Sequence, residues 1–87
     1  MLTVTEQAGA RLNQLLGETE GESVIRIVQR RRRMRIRRDH ARPEDATFAH
    51  AGRVVLVLDE SIAQRLTART LDIRQTDTGP RLRLRRG

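Results

Sequence analysis

The most hydrophobic segment of the chain reads Arg53-Val54-Val55-Leu56-Val57-Leu58-Asp59. A short apolar run bounded by polar residues is typical of a buried strand. Asp59 is a suitable N-cap for a helix that begins directly after this strand, with Ile62, Ala63 and Leu66 on its inner face. The segment therefore predicts a buried strand followed by a short helix.

A longer helix is predicted near the start of the chain. Thr5 is a plausible N-cap, and Glu6 lies in the first turn, where the helix dipole favours an acidic side chain. Gly17 is expected to end the helix. Between them, apolar residues recur at the spacing of one helix face: Ala8, Leu12, Leu15 and Leu16.

Two further strands are predicted around a cluster of arginines. Val24 to Val28 is the first, and the alternating segment Arg33 to Arg37 is the second, with Met34 and Ile36 pointing inward. The segment Gln29 to Arg33 between them is expected to be a tight connection rather than a functional loop.

The remaining pattern completes a small sheet. Short strands are predicted at Thr47 to Ala49, Leu71 to Ile73 and Arg81 to Arg85, with a proline-broken loop from Asp39 to Asp45. The expected fold class is α+β, a small mixed or antiparallel β-sheet with two helices. The 87 residues leave room for a single domain, residues 1–87.

The chain is strongly basic. Its 18 basic residues are all arginine, against 11 acidic residues, and the formal net charge is +7. Arginine is a bidentate donor that suits phosphates and carboxylates. A GC-rich genome would also favour arginine codons over lysine codons, but codon usage does not explain why the arginines cluster. Both interpretations stay open at this point.

Several classes of function lack the residues that they require. The sequence has no cysteine, so it offers no disulfide, thiolate metal site or redox thiol. His40 and His50 do not have a recognised metal-ligand spacing. Ser23 and Ser61 have no evident catalytic partners. We therefore expect no enzyme, no cofactor and no metal site. No signal peptide or membrane span is evident, which favours a cytoplasmic location.

The order of several segments resembles the A-type iron–sulfur carriers, the HesB/IscA family. Leu2 to Leu12 resembles the opening of that family, and Ile25 to Ile27 falls where the family has its first central strand. Pro43 to Phe48 followed by Gly52 to Asp59 is similar to the family's approach to a buried strand. Ser61 to Leu66, followed by Leu71 to Ile73, is similar to its short helix and next strand. The match covers about two-thirds of the chain and implies a HesB/IscA-like core.

The chain departs from the family at the residues that carry its chemistry. The family has one cysteine in a glycine-rich loop after the first central strand and a Cys-Gly-Cys motif near the C-terminus. Here the corresponding loop reads Gln29 to Arg33, and no position matches a cluster ligand. The resemblance thus implies the fold, but it does not imply cluster delivery, since thiolates are what hold the iron.

Alternating arginines are the remaining functional signal. In a strand, alternate residues share a face, so the arginines of each predicted strand project opposite its apolar residues. If these strands share one sheet, seven guanidinium groups line one surface and could bind a polyanion. A plain solvated face is the alternative. The predicted polyanion-binding residues are Arg26, Arg33, Arg35, Arg37, Arg81, Arg83 and Arg85.

The sequence thus predicts a non-enzymatic, cysteine-free relative of the A-type carriers that acts as a basic binding or interaction module. One alternative is an accessory protein in iron–sulfur cluster assembly beside a cysteine-bearing homologue. Another is an adaptor for an acidic protein. With Phe48 as its single aromatic residue, the chain has a small core, so we expect self-association as a homodimer. Nucleic acid contacts would be non-specific, and Glu18, Glu20 and Glu22 could instead pair with arginines across an oligomer.

Overall fold

Two β-sheets and two helices make up the computed structural model, which describes residues 1–17 and 22–86. The helices are α1 (Glu6–Leu16) and α2 (Glu60–Arg65). The strands are β1 (Thr3–Val4), β2 (Ser23–Arg30), β3 (Arg33–His40), β4 (Ala46–His50), β5 (Arg53–Leu58), β6 (Arg69–Thr76) and β7 (Gly79–Arg86). Glu18 and Glu20, which were considered as partners for arginine, lie outside the described residues.

The strands form two separate sheets. The larger sheet has the order β3-β2-β5-β4, and the smaller has the order β1-β6-β7. β2 runs parallel to β5, and β1 runs parallel to β6, whereas the other neighbours are antiparallel. The α+β class with two helices and mixed sheets is confirmed. The expectation that all the strands share one sheet is wrong.

The buried core lies where α1 and α2 pack against the larger sheet and where α1 meets β6. Most of its members come from α1, β2 and β5, as the sequence pattern predicts. Burial of such aliphatic side chains is the main favourable term in folding. The core residues are Leu2, Ala8, Leu12, Leu16, Ile25, Ile27, Val55, Leu56, Leu58, Ile62, Leu66 and Leu71.

Both predicted helix caps are confirmed. The Thr5 hydroxyl accepts a hydrogen bond from Ala8 N at 3.1 Å, and the Asp59 carboxylate accepts one from Ile62 N at 2.9 Å. Each side chain thereby satisfies one of the free N–H groups at a helix start. No helix in residues 1–17 and 22–86 is long and apolar enough to cross a membrane.

Two arginines from the larger sheet satisfy the carboxyl end of α1, whose last turn has no basic residue of its own. Arg38 Nη2 donates to the carbonyl of Leu15 at 2.7 Å. Arg53 Nη1 donates to the carbonyl of Gly17 at 2.9 Å and to Asn13 Oδ1 at 3.0 Å. Cations at this end of a helix are stabilising because the helix dipole is negative there. These two arginines therefore have a structural role.

The arginine-rich connection is a tight β-hairpin, as predicted. β2 and β3 pair along their whole length from Ser23↔His40 to Arg30↔Arg33, which leaves only Arg31 and Arg32 in the turn. Arg31 has a φ of 56°, in the left-handed region that costs a non-glycine residue roughly 1–2 kcal/mol. Asp39 and His40, predicted to start a loop, instead end β3.

Two side chains expected to point into the core are half-exposed. Met34 retains 36% of its accessible surface and Ile36 retains 44%. They lie on β3, an edge strand of the larger sheet, whereas the helices pack mainly against the other strands of that sheet. The alternation of β3 is correct, but its apolar face meets a cleft rather than a closed core.

Arg26 is buried, and the prediction that it belongs to the exposed arginine face is wrong. Its side chain is 2% exposed, and it forms a fork onto Asp45, with Nη2–Oδ2 at 2.6 Å and Nη1–Oδ1 at 3.0 Å. Arg26 Nε also donates to Asp39 Oδ2 at 2.7 Å, and Nη2 donates to the carbonyl of His40 at 3.1 Å. The loop between β3 and β4 thus closes over this side chain.

These contacts shift the pKa values of all three groups. The hydrogen bond from Arg26 is the main cause of the lowered pKa of Asp45. The pKa of Asp39 falls to about 2, chiefly because its carboxylate accepts the backbone N–H of His40 and secondarily because it accepts Arg26 Nε. The two carboxylates, Asp45 first, raise the pKa of Arg26. The three groups are therefore ionised together across the physiological range.

We predict that Asp45→Asn destabilises the protein by about 3 kcal/mol, because removing one partner leaves a buried cation incompletely paired. Urea unfolding monitored by circular dichroism measures the loss. Asp77→Asn is the matched control, since Asp77 is exposed in the β6–β7 turn and the charge change is the same. Its effect should stay within about 0.5 kcal/mol. Equal effects of the two changes would contradict a structural role for the pair.

We also predict that the folded protein loses stability in acid, because the same carboxylates become protonated. Because the folded pKa values of Asp39 and Asp45 lie below their usual values near 4, folding releases protons, and the resulting stability is present above about pH 4. It is lost as pH falls towards 2. Urea midpoints measured from pH 5 to pH 2 should drop for the wild type and drop less steeply for Asp39→Asn. Parallel slopes would contradict the prediction.

Candidate functional site

The strongest concentration of positive charge surrounds the β2–β3 hairpin. Five exposed arginines and one glutamine line a shallow hollow at its tip: Gln29, Arg30, Arg31, Arg32, Arg33 and Arg35. We call this set the hairpin cluster. Within the described part of the chain, no acidic side chain lies in an ion pair with any of its arginines. The hollow therefore has a strongly positive potential.

The tight hairpin creates this cluster. Arg30 and Arg33 are directly opposite each other across the two strands, and the two turn residues extend the positive charge beyond them. Arg35 lies on the same face of β3 as Arg33, two residues along. Like charges opposite each other in a sheet are destabilising. A multivalent anion placed in the hollow would relieve this repulsion.

The predicted arginine surface divides into two groups, because β3 and β7 belong to different sheets. Arg33, Arg35 and Arg37 lie on β3, opposite Met34 and Ile36. The second group lies on β7, opposite Leu82 and Leu84, and consists of Arg81, Arg83 and Arg85. The apolar residues of both strands line one cleft between the two strands, and Arg83 is the one member of the two groups that also lines it. A single seven-arginine surface does not form.

Two members of these groups already have carboxylate partners. Arg37 Nη2 lies 3.4 Å from Asp39 Oδ2, the oxygen that also accepts Arg26 Nε. Arg85 Nε lies 3.2 Å from Asp72 Oδ2, while Asp72 Oδ1 accepts the Thr5 hydroxyl at 3.0 Å. Their charges are partly neutralised inside the protein. Arg33 and Arg35, like Arg81 and Arg83, have no such partner among residues 1–17 and 22–86. Arg33 and Arg35 differ in that they lie beside further unpaired arginines at the hairpin tip.

Arg30, Arg31 and Arg32 were not among the predicted site residues. The alternation rule selects one side of a strand, and these three consecutive residues do not alternate with apolar ones. The sequence signal that identifies them is the tight connection between the two predicted strands, which consists of arginines. A hairpin whose turn and closing pair are all arginine must present those side chains together at one tip.

A second feature is an apolar cleft between the two sheets, with a volume of about 280 Å³. The cleft floor is formed by Ile27 and Leu71, and the apolar residues of β3 and β7 form its walls. Arg69 and Arg83 also line it. Arg69 Nε is buried and has no hydrogen-bond acceptor within the described residues, an unusual state for a charged group. The cleft therefore combines apolar surface with an unsatisfied cationic donor.

The fold matches solved structures of iron–sulfur proteins. Escherichia coli SufA, described as involved in biosynthesis of iron–sulfur clusters, superposes with a TM-score of 0.75 at 16% identity, covering 98% of this chain and 84% of SufA. IscA, solved with a 2Fe–2S cluster, superposes with a TM-score of 0.66 at 17% identity, covering 99% of this chain and 85% of IscA. No protein-family model matches the sequence, and no curated protein matches it. The predicted HesB/IscA-like fold is confirmed.

The residues present do not suit an iron–sulfur cluster. The sequence has no cysteine to supply thiolate ligands. Among residues 1–17 and 22–86, no group of three or more His, Asp or Glu side chains could hold a metal ion. The tip of the β2–β3 hairpin carries guanidinium groups, which repel iron cations and attract anions. The fold is shared with SufA and IscA, whereas this chain has no cysteine.

Proposed function

We propose that this chain is a cysteine-free relative of the A-type carriers that acts as a non-enzymatic basic binding module, with the hairpin cluster as its polyanion site. The observation that carries the proposal is five exposed arginines around one hollow with no acidic partner among the described residues. Each guanidinium can donate two hydrogen bonds to a phosphate, and each phosphate contact releases counterions.

Binding at this site is directed to the phosphate backbone and is independent of base sequence. The single aromatic residue, Phe48, packs against the core and is not available to stack on bases. Without an aromatic side chain to stack on bases, the exposed arginines at the hairpin tip are left to contact phosphates. Contacts of this kind position a protein on nucleic acid without reading its sequence.

A second candidate function is an accessory role in iron–sulfur cluster assembly beside a cysteine-bearing protein. The observation that favours it is the fold likeness to SufA and IscA across nearly the whole chain. In that role the hairpin cluster would face an acidic surface of the partner. Salt-dependent binding to DNA distinguishes the two candidates, because the accessory role requires none.

We predict weak, salt-sensitive binding to duplex DNA, with a Kd of about 10⁻⁴ to 10⁻⁶ M at physiological salt. If about four arginines meet phosphates, log K falls against log salt with a slope near −4, at roughly −0.9 per contact. Replacing Arg31, Arg32 and Arg33 with Gln should flatten that slope by about three, and equally for unrelated sequences. Fluorescence anisotropy at several salt concentrations measures both quantities.

The matched control replaces Arg74, Arg81 and Arg83 with Gln, which removes the same charge from exposed positions on β6 and β7. It should change the slope by less than one. An equal decrease of the salt slope in the two variants would indicate a general effect of net charge rather than a localised binding site. Absence of wild-type binding at low salt would show that the hairpin cluster is only a solvated surface.

A further inference from the structure

The outer edge of β3 is open. β3 is the last strand of its sheet, is eight residues long, and has seven exposed residues. On its outer side, alternate backbone N–H and C=O groups have no strand partner within the described residues. A long, exposed edge of this kind is a ready template for another extended segment.

The two faces of β3 differ sharply in chemistry. One face presents Met34 and Ile36 to the cleft, where Leu82 and Leu84 form the far wall. The opposite face presents Arg33, Arg35 and Arg37. A segment that pairs with this edge would place alternate side chains beside these two surfaces, because side chains directly opposite in neighbouring strands interact. It would therefore need apolar residues on one face and acidic residues on the other.

A second copy of the chain does not suit this edge. Side chains alternate with a period of two, so any pairing of β3 with β3 that brings Met34 and Ile36 together also brings arginine next to arginine. Like charges opposite each other are destabilising, and charged edges are a known device against self-pairing. The predicted homodimer would have to use another surface.

From these observations we infer that the β3 edge and its cleft bind, as an added β-strand, an extended segment of another protein in which acidic and apolar residues alternate. The apolar side chains enter the cleft beside Met34 and Ile36. The acidic side chains lie against Arg33, Arg35 and Arg37. Five residues of such a segment span about 17 Å, enough to lie beside the stretch from Arg33 to Arg37. This site shares Arg33 and Arg35 with the hairpin cluster, but it also requires the apolar cleft and the backbone edge, which polyanion binding does not use.

The test uses the blocked peptide EVEVEVE and a scrambled peptide, EEEVVVE, of the same composition and charge. Isothermal titration calorimetry should show binding of the alternating peptide at least about tenfold tighter than the scrambled one. Hydrogen exchange should show that amides of β3 gain protection only with the alternating peptide. Equal binding of both peptides would overturn the inference, because it would reduce the contact to charge attraction.

Variants separate this site from the hairpin cluster. Replacing Met34 and Ile36 with Thr places a residue of high strand propensity at both positions and keeps every arginine. The double change should weaken binding of the alternating peptide at least about tenfold and leave the DNA salt slope unchanged. Val54→Thr is the matched control, since Val54 is similarly exposed but lies on β5. It should change neither the affinity for the alternating peptide nor the DNA salt slope. Unchanged peptide binding in the double variant would overturn the inference. A wild-type dimer that the double variant dissociates would also overturn it, because a second copy would then occupy the edge.

Discussion

The ion pair between Arg26 and Asp45 is the constraint on which the larger sheet depends. Both side chains are almost completely buried, and the guanidinium is satisfied by two carboxylates and one carbonyl. Because an unpaired buried cation is costly, conformations of the β3–β4 loop that move Asp45 away from Arg26 are unfavourable. The pair thereby fixes the end of β3 and the start of β4 against the central strand β2.

Contacts within the protein also determine which arginines remain available at its surface. Asp39 is shared between Arg26 and Arg37, and Arg38 and Arg53 hold the carboxyl end of α1. These arginines serve the fold. Those at the hairpin tip have no comparable partner within the described residues, and they are the ones free to meet an external anion. The hairpin is tight, and its left-handed residue, Arg31, is a position where glycine or asparagine would be expected.

Local signals in the sequence predicted much of the fold. Thr5 and Asp59 were identified as caps because the polar side chain precedes a helix-periodic apolar pattern, and the run from Arg53 to Leu58 was identified as buried because nearly every residue in it is apolar. Arg26 was misplaced for a physical reason. Strand alternation assigns Arg26 to a polar face, which is usually exposed. Its acidic partners, Asp39 and Asp45, are 13 and 19 residues away in the sequence. They reach Arg26 only because β2 pairs with β3 and the chain then returns to form β4.

The candidate site was predicted only in part for a similar reason. Strand alternation correctly grouped Arg33, Arg35 and Arg37 on one face, as it did Arg81, Arg83 and Arg85. It could not show that β3 and β7 belong to different sheets, since this depends on long-range pairing. The half-exposed positions of Met34 and Ile36 were missed because a strand at the edge of a sheet has the same alternation as one at its centre.

The shared fold and the altered chemistry lead to one account: a scaffold with the fold of SufA and IscA that has no cysteine to hold an iron–sulfur cluster. Anaerobic reconstitution with ferrous iron and sulfide, followed by desalting, tests it most directly, with a cysteine-bearing A-type carrier treated in parallel. The account predicts that this chain shows no charge-transfer absorption in the visible region and no stoichiometric iron or sulfide. A stable brown protein that retains both would contradict it.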